Sequence, residues 1–127
     1  MSDRFEDDRG VIQDLLVTSL DSVTRITSRK GAIRGNHFHK DTTQWTLVLS
    51  GLLRVVTEGS GFSGANWDRE EHDYRPGEMA CELPGVSHAW LALEDTDVLV
   101  FTRGPRSGAA YETDTFRLET PLLCAPS

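Results

Sequence analysis

Short strand-like segments separated by turn residues dominate this chain, and they constrain its fold more than any other feature. Each segment is rich in Val, Leu, Ile, Thr or aromatic side chains, the types that favour β-strands. The predicted strands are Val11–Thr18, Ser22–Ser28, Trp45–Leu49, Leu52–Thr57, Glu78–Glu82, His88–Leu93 and Asp97–Thr102. No long window carries a helical hydrophobic period. Many short strands at this spacing predict an all-β sandwich or barrel.

Turn residues set the predicted connections between these strands. Ser50-Gly51 separates two strand segments, which predicts a tight hairpin with a two-residue turn. The segment from Gly59 to Tyr74 is rich in glycine, serine and charged residues. That composition predicts a surface loop, and such loops often flank a functional site.

Charge and cysteine content exclude several classes of protein. The chain has 127 residues and a net charge of −7, so we expect one domain spanning residues 1–127 and no nucleic-acid partner. No apolar run reaches the roughly 20 residues of a membrane-spanning helix, and the charged N-terminus differs from a signal peptide. A cytoplasmic location with no membrane partner is therefore expected.

Cys81 follows apolar residues, which predicts a buried, inert thiol rather than a disulfide with Cys124.

Three of the four histidines occur at spacings that could bring their rings together. His37 and His39 are two residues apart and would share one face of a β-strand. Gln44 and the distant His88 could join them. Imidazole is both a common metal ligand and the usual acid/base group near neutral pH, so the cluster predicts a functional site of either kind.

The residues around these histidines resemble the two motifs of the cupin family. The first motif is similar to the run from Gly31 to Gly51, with a histidine pair, a later polar residue and a closing glycine. The second resembles Gly77 to His88, where a glycine opens a strand and a Pro84-Gly85 turn precedes the histidine. This resemblance, which spans about residues 31–93, implies a single-domain cupin, a jelly-roll-like barrel also called a double-stranded β-helix.

A narrower resemblance indicates the substrate class. Arg34-Gly-Asn-His37-Phe is similar to a run in dTDP-4-dehydrorhamnose 3,5-epimerases and nucleotide-sugar 3,4-ketoisomerases, and a related run occurs in a zinc-containing cupin domain of capsular-polysaccharide enzymes. The stretch from Tyr111 to Arg117 also resembles the ketoisomerases. These likenesses imply a small-molecule substrate, a nucleotide-linked deoxysugar or related carbohydrate. They imply an isomerase or epimerase in which His37 and His39 exchange protons, Arg34 binds phosphate or polarises a carbonyl, and Tyr111 or Tyr74 supplies the acid.

A metal-dependent enzyme is the alternative that the same residues leave open. His37, His39, His88 and Gln44 would hold Zn, Fe, Ni, Mn or Co for a dioxygenase or hydrolytic reaction, with no organic cofactor. Gln44 replaces the glutamate usual in cupins, and a neutral amide should weaken metal binding. A non-catalytic cupin that binds a small ligand is a third reading.

Several other residues have a structural explanation that competes with a functional one. His72 lies in a charged segment, which favours solvated surface, and its acidic neighbours Glu70, Glu71 and Asp73 favour the same reading over a cation site. Trp45 and Trp90 are expected in the core or against a second subunit, although either could stack on a sugar. Short cupins commonly pair through sheet edges, so a homodimer is expected.

Overall fold

The structure, a computed structural model, describes residues 4–59, 69–105 and 108–124. The all-β prediction is confirmed, because strands account for nearly all regular structure in these ranges and the single helix there is one short element. The elements are β1 (Arg4–Asp7), β2 (Gly10–Gln13), β3 (Ser22–Ser28), β4 (Ile33–His39), β5 (Thr43–Ser50), β6 (Leu53–Gly59), β7 (Glu70–Tyr74), β8 (Met79–Glu82), β9 (Val86–Ala92), β10 (Thr96–Arg103), α1 (Gly108–Thr113) and β11 (Thr115–Arg117).

Two antiparallel sheets form the body of the fold. One sheet has the strand order β3-β10-β5-β8 and the other β11-β4-β9-β6-β7, while β1 and β2 form a separate two-stranded sheet. Buried positions alternate with half-buried ones along β5 and β10, so one face of each strand lies in the core between the sheets. Val48, Val55, Val98 and Val100 are among the residues of the main core.

The predicted hairpin between β5 and β6 is wrong. β5 pairs with β10 and β8, whereas β6 pairs with β7 and β9 in the other sheet. Ser50-Gly51 therefore turns a corner between sheets instead of reversing the chain within one. Gly51 has φ 89°, and a Cβ there would collide with the backbone of Asp95, so glycine is required at this corner.

The predicted loop from Gly59 to Tyr74 is wrong at its C-terminal end. Residues 70–74 form β7, which pairs with β6 through five residues, whereas residues 60–68 lie outside the described ranges. Cross-strand pairing stabilises a charged strand here: Asp73 accepts hydrogen bonds from the opposing Arg54 at 2.8 and 3.2 Å. The first predicted strand is also shorter than expected, because β2 ends at Gln13.

The prediction of a buried Cys81 is also wrong. Ala80 and Glu82 point inward from β8, so the alternation of a strand turns Cys81 outward, where it is exposed. Cys81 and Cys124 are both free thiols. Within the described ranges, no helix has the length and apolar character needed to cross a membrane.

Candidate functional site

Three histidines converge between the two sheets. His37 and His39 share one face of β4, and His37 lies directly opposite His88 on β9. The ring centroid of His37 lies 4.7 Å from that of His39 and 4.7 Å from that of His88, and the His39 and His88 centroids are 5.5 Å apart. One nitrogen from each ring can be chosen so that all three lie within 4.8 Å of one another. The side chains are thus close enough for a shared ligand or proton transfer.

A β-bulge in β4 places Arg34 on the same side as the histidines. Arg34 pairs with Trp90 and His37 with His88, and the register shifts between Gly35 and His37. Trp90 and His88 are two residues apart and so face the same side, which brings Arg34 and His37 to one face although three positions separate them. Without the extra residue, Arg34 would point away from the site.

Backbone conformations that favour glycine or asparagine form this bulge. Gly35 has φ 90°, and Asn36 has φ 58°, the only positive value at a non-glycine residue in the described part of the chain. A Cβ on Gly35 would lie 3.0 Å from the backbone oxygen of His88. Gly35 is therefore needed both for its backbone angle and for the close approach of β9.

Asp114 fixes the orientation of His39. His39 Nδ1 lies 3.3 Å from the backbone oxygen of Asp114; a carbonyl oxygen can only accept, so Nδ1 carries the ring proton and Nε2 presents the lone pair. The Asp114 carboxylate is buried and accepts hydrogen bonds from the backbone nitrogens of Lys40 and Asp41 and from Thr42 Oγ1 at 3.1, 2.9 and 2.5 Å. These bonds hold the β4–β5 turn against the segment behind His39.

Glu82 is a site residue that the sequence left unassigned. Its side chain is buried on β8, its Oε1 accepts hydrogen bonds from Thr46 Oγ1 at 2.9 Å and Trp90 Nε1 at 3.2 Å, and its Oε2 lies 3.4 Å from His88 Nε2. The local sequence Cys81-Glu82-Leu83 gave no signal for this role. Strand alternation from Ala80 could have indicated that Glu82 faces inward, but not that its partner would be His88.

Burial sets the protonation of the cluster near neutral pH. Loss of hydration, then the neighbouring His88 and His39 and the charge of Arg117, lower the pKa of His37 to about 3. Burial and His39 likewise lower the pKa of His88 to about 3. For Glu82, burial raises the pKa to about 7 against the opposing effect of its hydrogen bonds from Thr46 and Trp90. Near neutral pH the imidazoles of His37 and His88 are therefore neutral, and the Glu82 carboxyl group beside His88 is partly protonated.

His37 lines both a small cavity and a larger cleft. The inner cavity has a volume of about 80 Å³ and is lined by Ile26, Arg34, Gly35, His37, Gln44, His88, Trp90 and Val100. The outer cleft, of about 380 Å³, contains Arg34, Gly35 and His37 again, together with Ile33, Glu112, Thr115 and Arg117. His37 is thus accessible to a ligand in the cleft, while His88 lies deeper.

The remaining predicted residues have more varied positions. Gln44 is buried and lines the inner cavity. Arg34 lies at the rim, where its guanidinium donates hydrogen bonds to Ser28 Oγ at 2.8 Å and to the backbone oxygen of Thr27 at 3.0 Å. Tyr111 belongs to α1, and its side chain lies outside the described part of the structure.

Two predicted alternatives lie away from the histidine cluster. Tyr74 and the exposed His72 line a separate cavity between β7 and β8, and their ring centroids are 4.4 Å apart. His72 is therefore a surface residue, as its charged surroundings predicted. Trp90 is buried beside the cavity, whereas Trp45 is half-buried on the outward side of β5.

The family model that describes the cupins matches residues 13–116. The chain belongs to the cupin family. Both motifs of the predicted resemblance lie inside this match, and the site described above lies between the sheets of the cupin fold. No curated protein matches the sequence of this cupin.

Solved structures with the same fold include several sugar-modifying proteins. The dTDP-4-dehydrorhamnose 3,5-epimerase from Sulfolobus tokodaii is 22% identical, with a TM-score of 0.67 over 83% of this chain and 68% of its own. QdtA, a sugar 3,4-ketoisomerase from Thermoanaerobacterium thermosaccharolyticum solved in complex with TDP, is 17% identical, with a TM-score of 0.70 over 93% of this chain and 85% of its own.

A third similar structure belongs to a much longer protein. The capsular polysaccharide assembling protein CapF from Staphylococcus aureus is 21% identical, with a TM-score of 0.66 over 94% of this chain. The cupin chain spans about a third of its length, 35%. At these identities the three likenesses establish the fold.

Proposed function

We propose that this cupin is an isomerase or epimerase for a nucleotide-linked keto-deoxysugar, with His37 as its acid/base group. The observation that carries the proposal is the position of His37, which packs against the buried His39 and His88 and also lines the larger cleft. A sugar in the cleft would present a carbon-bound proton to this imidazole. Relatives of the same fold that act on such sugars, one of them solved with TDP, support the substrate class.

The charge around the cleft suits a diphosphate despite the net charge of −7. Arg34 and Arg117 both line the cleft with His37, and Glu112 is the one acidic residue among its lining residues. Ser28 and Thr27 fix the Arg34 guanidinium, so little conformational entropy would be lost when it binds an oxyanion. A few local arginines can outweigh the overall charge at short range.

The proposed proton transfer begins with neutral His37. The imidazole takes a proton from the carbon beside the sugar carbonyl; the C–H electron pair becomes the C=C bond of an enolate, and the carbonyl π pair moves to oxygen. A pKa near 3 makes free His37 a weak base. Negative charge on the enolate would raise that pKa as the reaction proceeds, and the proton then returns to carbon or moves to oxygen.

A metal-dependent reaction is the second candidate, because the donor set fits a divalent ion. Three buried or half-buried imidazoles offer nitrogens within 4.8 Å of one another, and Asp114 orients His39 as an outer-sphere partner would. A bound Zn, Fe, Ni, Mn or Co ion would polarise a substrate oxygen. Gln44 lines the inner cavity together with His37 and His88.

One deuterium-exchange experiment tests the proposal against this alternative. The protein is incubated with dTDP-4-keto-6-deoxyglucose in deuterated water, and label at C3 and C5 is followed by NMR. We expect labelling that survives treatment with a chelator and falls at least about 100-fold in His37→Asn. His72→Asn, an exposed histidine outside the cluster, is the matched control and should label normally.

Two outcomes would contradict the proposal. Absence of label in folded protein that binds TDP would exclude this proton transfer. Loss of labelling on chelation, restored by a divalent metal, would favour the metal-dependent candidate over free histidine chemistry.

A further inference from the structure

One carboxyl oxygen of Glu82 lies in the protein interior without a hydrogen bond. The Glu82 side chain is buried, with 2% of the residue exposed. Its Oε1 accepts hydrogen bonds from Thr46 and Trp90, whereas its Oε2 has no hydrogen-bond partner among the residues that the structure describes. Because nearly all buried polar atoms in proteins are paired and an unpaired one is costly, this oxygen indicates a ligand that supplies the missing contact.

The distance from this oxygen to the histidine cluster suits a shared metal ion. Glu82 Oε2 lies 3.4 Å from His88 Nε2. Two atoms bound to one ion at about 2.1 Å in a tetrahedral arrangement lie roughly 3.4 Å apart. One nitrogen each of His37, His39 and His88 can be chosen within 4.8 Å of the others. Small movements of these side chains would therefore bring three nitrogens and the carboxyl oxygen onto one ion.

Glu82 and Asp114 are the two buried carboxyl groups of the described chain. Asp114 uses both of its oxygens, because Oδ1 accepts hydrogen bonds from two backbone nitrogens of the β4–β5 turn and Oδ2 accepts one from Thr42 Oγ1. Gln44 lies opposite Glu82 on β5 and lines the inner cavity, but its amide is neutral. Among these three side chains, Glu82 alone combines a carboxyl group with an oxygen that is open to a cation.

We propose that Glu82, in place of Gln44, is the carboxylate ligand of a divalent transition-metal ion held by the three clustered imidazoles. Neutral imidazoles leave the charge of such an ion uncompensated, and the carboxylate supplies one negative charge. Thr46 and Trp90 hold the other carboxylate oxygen, as outer-sphere partners of a metal ligand do. This inference rests on the metal-dependent candidate function and names its fourth ligand.

Cobalt binding to the full chain tests the proposal without a substrate. Co²⁺ is titrated into chelator-treated protein, and its visible absorption, which reports the ligand set, is recorded. Glu82→Gln keeps the shape of the side chain but removes its charge. We expect its dissociation constant to rise by more than about 100-fold, because loss of an outer-sphere partner alone costs roughly 10- to 100-fold. The spectrum of bound Co²⁺ should change as well. Gln44→Met removes the rival amide at similar volume and should leave that spectrum unchanged.

Carbon-13 NMR provides a second readout from the unmodified protein. Zn²⁺ should shift the resonance of the Glu82 carboxyl carbon, assigned through its backbone amide, while the carboxyl resonances of exposed glutamates stay in place. Equal Co²⁺ affinities and spectra in the wild type and Glu82→Gln, or an unmoved Glu82 resonance on Zn²⁺ binding, would overturn the proposal and leave the metal-dependent candidate with histidine ligands alone. A wild type that binds neither ion would overturn both the proposal and that candidate.

Discussion

Glu82 shows how a single buried carboxyl group connects the core to the candidate site. Its Oε1 accepts from Thr46 and Trp90, and its Oε2 faces His88. Burial of an ionised carboxylate is costly, which is why its pKa rises to about 7. Glu82 therefore stabilises the fold best when its carboxyl group is protonated. It can hold His88 in place whether that carboxyl group is protonated or ionised.

Substitution of Glu82 separates its shape from its charge. Glu82→Gln keeps the volume and the acceptor for Thr46 and Trp90, so we expect the free energy of unfolding near pH 5 to change by less than about 1 kcal/mol. Glu82→Ala leaves a cavity and two unpaired donors, which should cost about 3–5 kcal/mol. Urea unfolding at fixed pH measures both variants.

The pH dependence supplies the control for this prediction. The folded pKa of Glu82 is raised from 4.5 to about 7, so its contribution to stability is complete below pH 4.5 and is lost as the pH rises through 7. Glu82→Gln cannot titrate and should therefore gain on the wild type between pH 5 and pH 8. A constant difference over that range would show that Glu82 is ionised in the folded protein.

At the scale of elements, the β4 bulge joins the site to the C-terminal segment. Asn36 Oδ1 accepts from the backbone nitrogens of Leu122 and Leu123 at 2.8 and 3.1 Å, and its Nδ2 donates to Leu123 O at 3.0 Å. Leu122 is buried against Val56 and Ala89. The residue that creates the bulge thus also anchors the chain after β11.

Variants of Asn36 should reveal two separate contributions. Asn36→Ala loses the three hydrogen bonds and places a Cβ at φ 58°, which we expect to cost about 2–4 kcal/mol. Asn36→Gly loses the same bonds without the backbone strain and should be about 1 kcal/mol more stable than the alanine variant. Urea unfolding gives the energies, and proteolysis of the C-terminal segment should accelerate in both. Alanine equal to or better than glycine would contradict a left-handed backbone at this position.

At the scale of the whole molecule, sequence patterns predicted the faces of strands better than their partners. The two-residue period placed His37 and His39 together, and the motif containing His88 indicated the opposing strand. The hairpin predicted at Ser50-Gly51 was wrong because the same turn residues occur in a hairpin and in a corner between two sheets. Arg34 faces the site only through the bulge at Asn36, and the pairing of Glu82 with His88 depends on tertiary packing. Neither can be read from local periodicity.

The concentration of titratable groups between the sheets gives the whole molecule a predictable response to acid. The pKa of His37 and that of His88 are lowered from 6.5 to about 3 in the folded protein. The unfolded chain therefore binds more protons at these two residues between pH 6.5 and pH 3, and stability falls as the pH decreases through that window. Glu82 acts in the opposite direction between pH 7 and pH 4.5, because its folded pKa is the higher one.

The balance of these groups predicts a curve with two slopes. Between pH 6.5 and pH 4.5, the unfolded chain binds two more protons at the two histidines and one fewer at Glu82, so unfolding takes up about one proton. Below pH 4.5 Glu82 is protonated in both states, and the free energy of unfolding should fall more steeply with decreasing pH, toward an uptake of about two protons. Urea unfolding from pH 3.5 to pH 8 with a chelator present measures both slopes. His37→Asn should reduce each by about one proton, whereas the exposed His72→Asn should leave them unchanged. If the wild type and His37→Asn gave equal slopes, His37 would take up its proton in the folded state as readily as in the unfolded chain. Burial would then not control the protonation of the cluster.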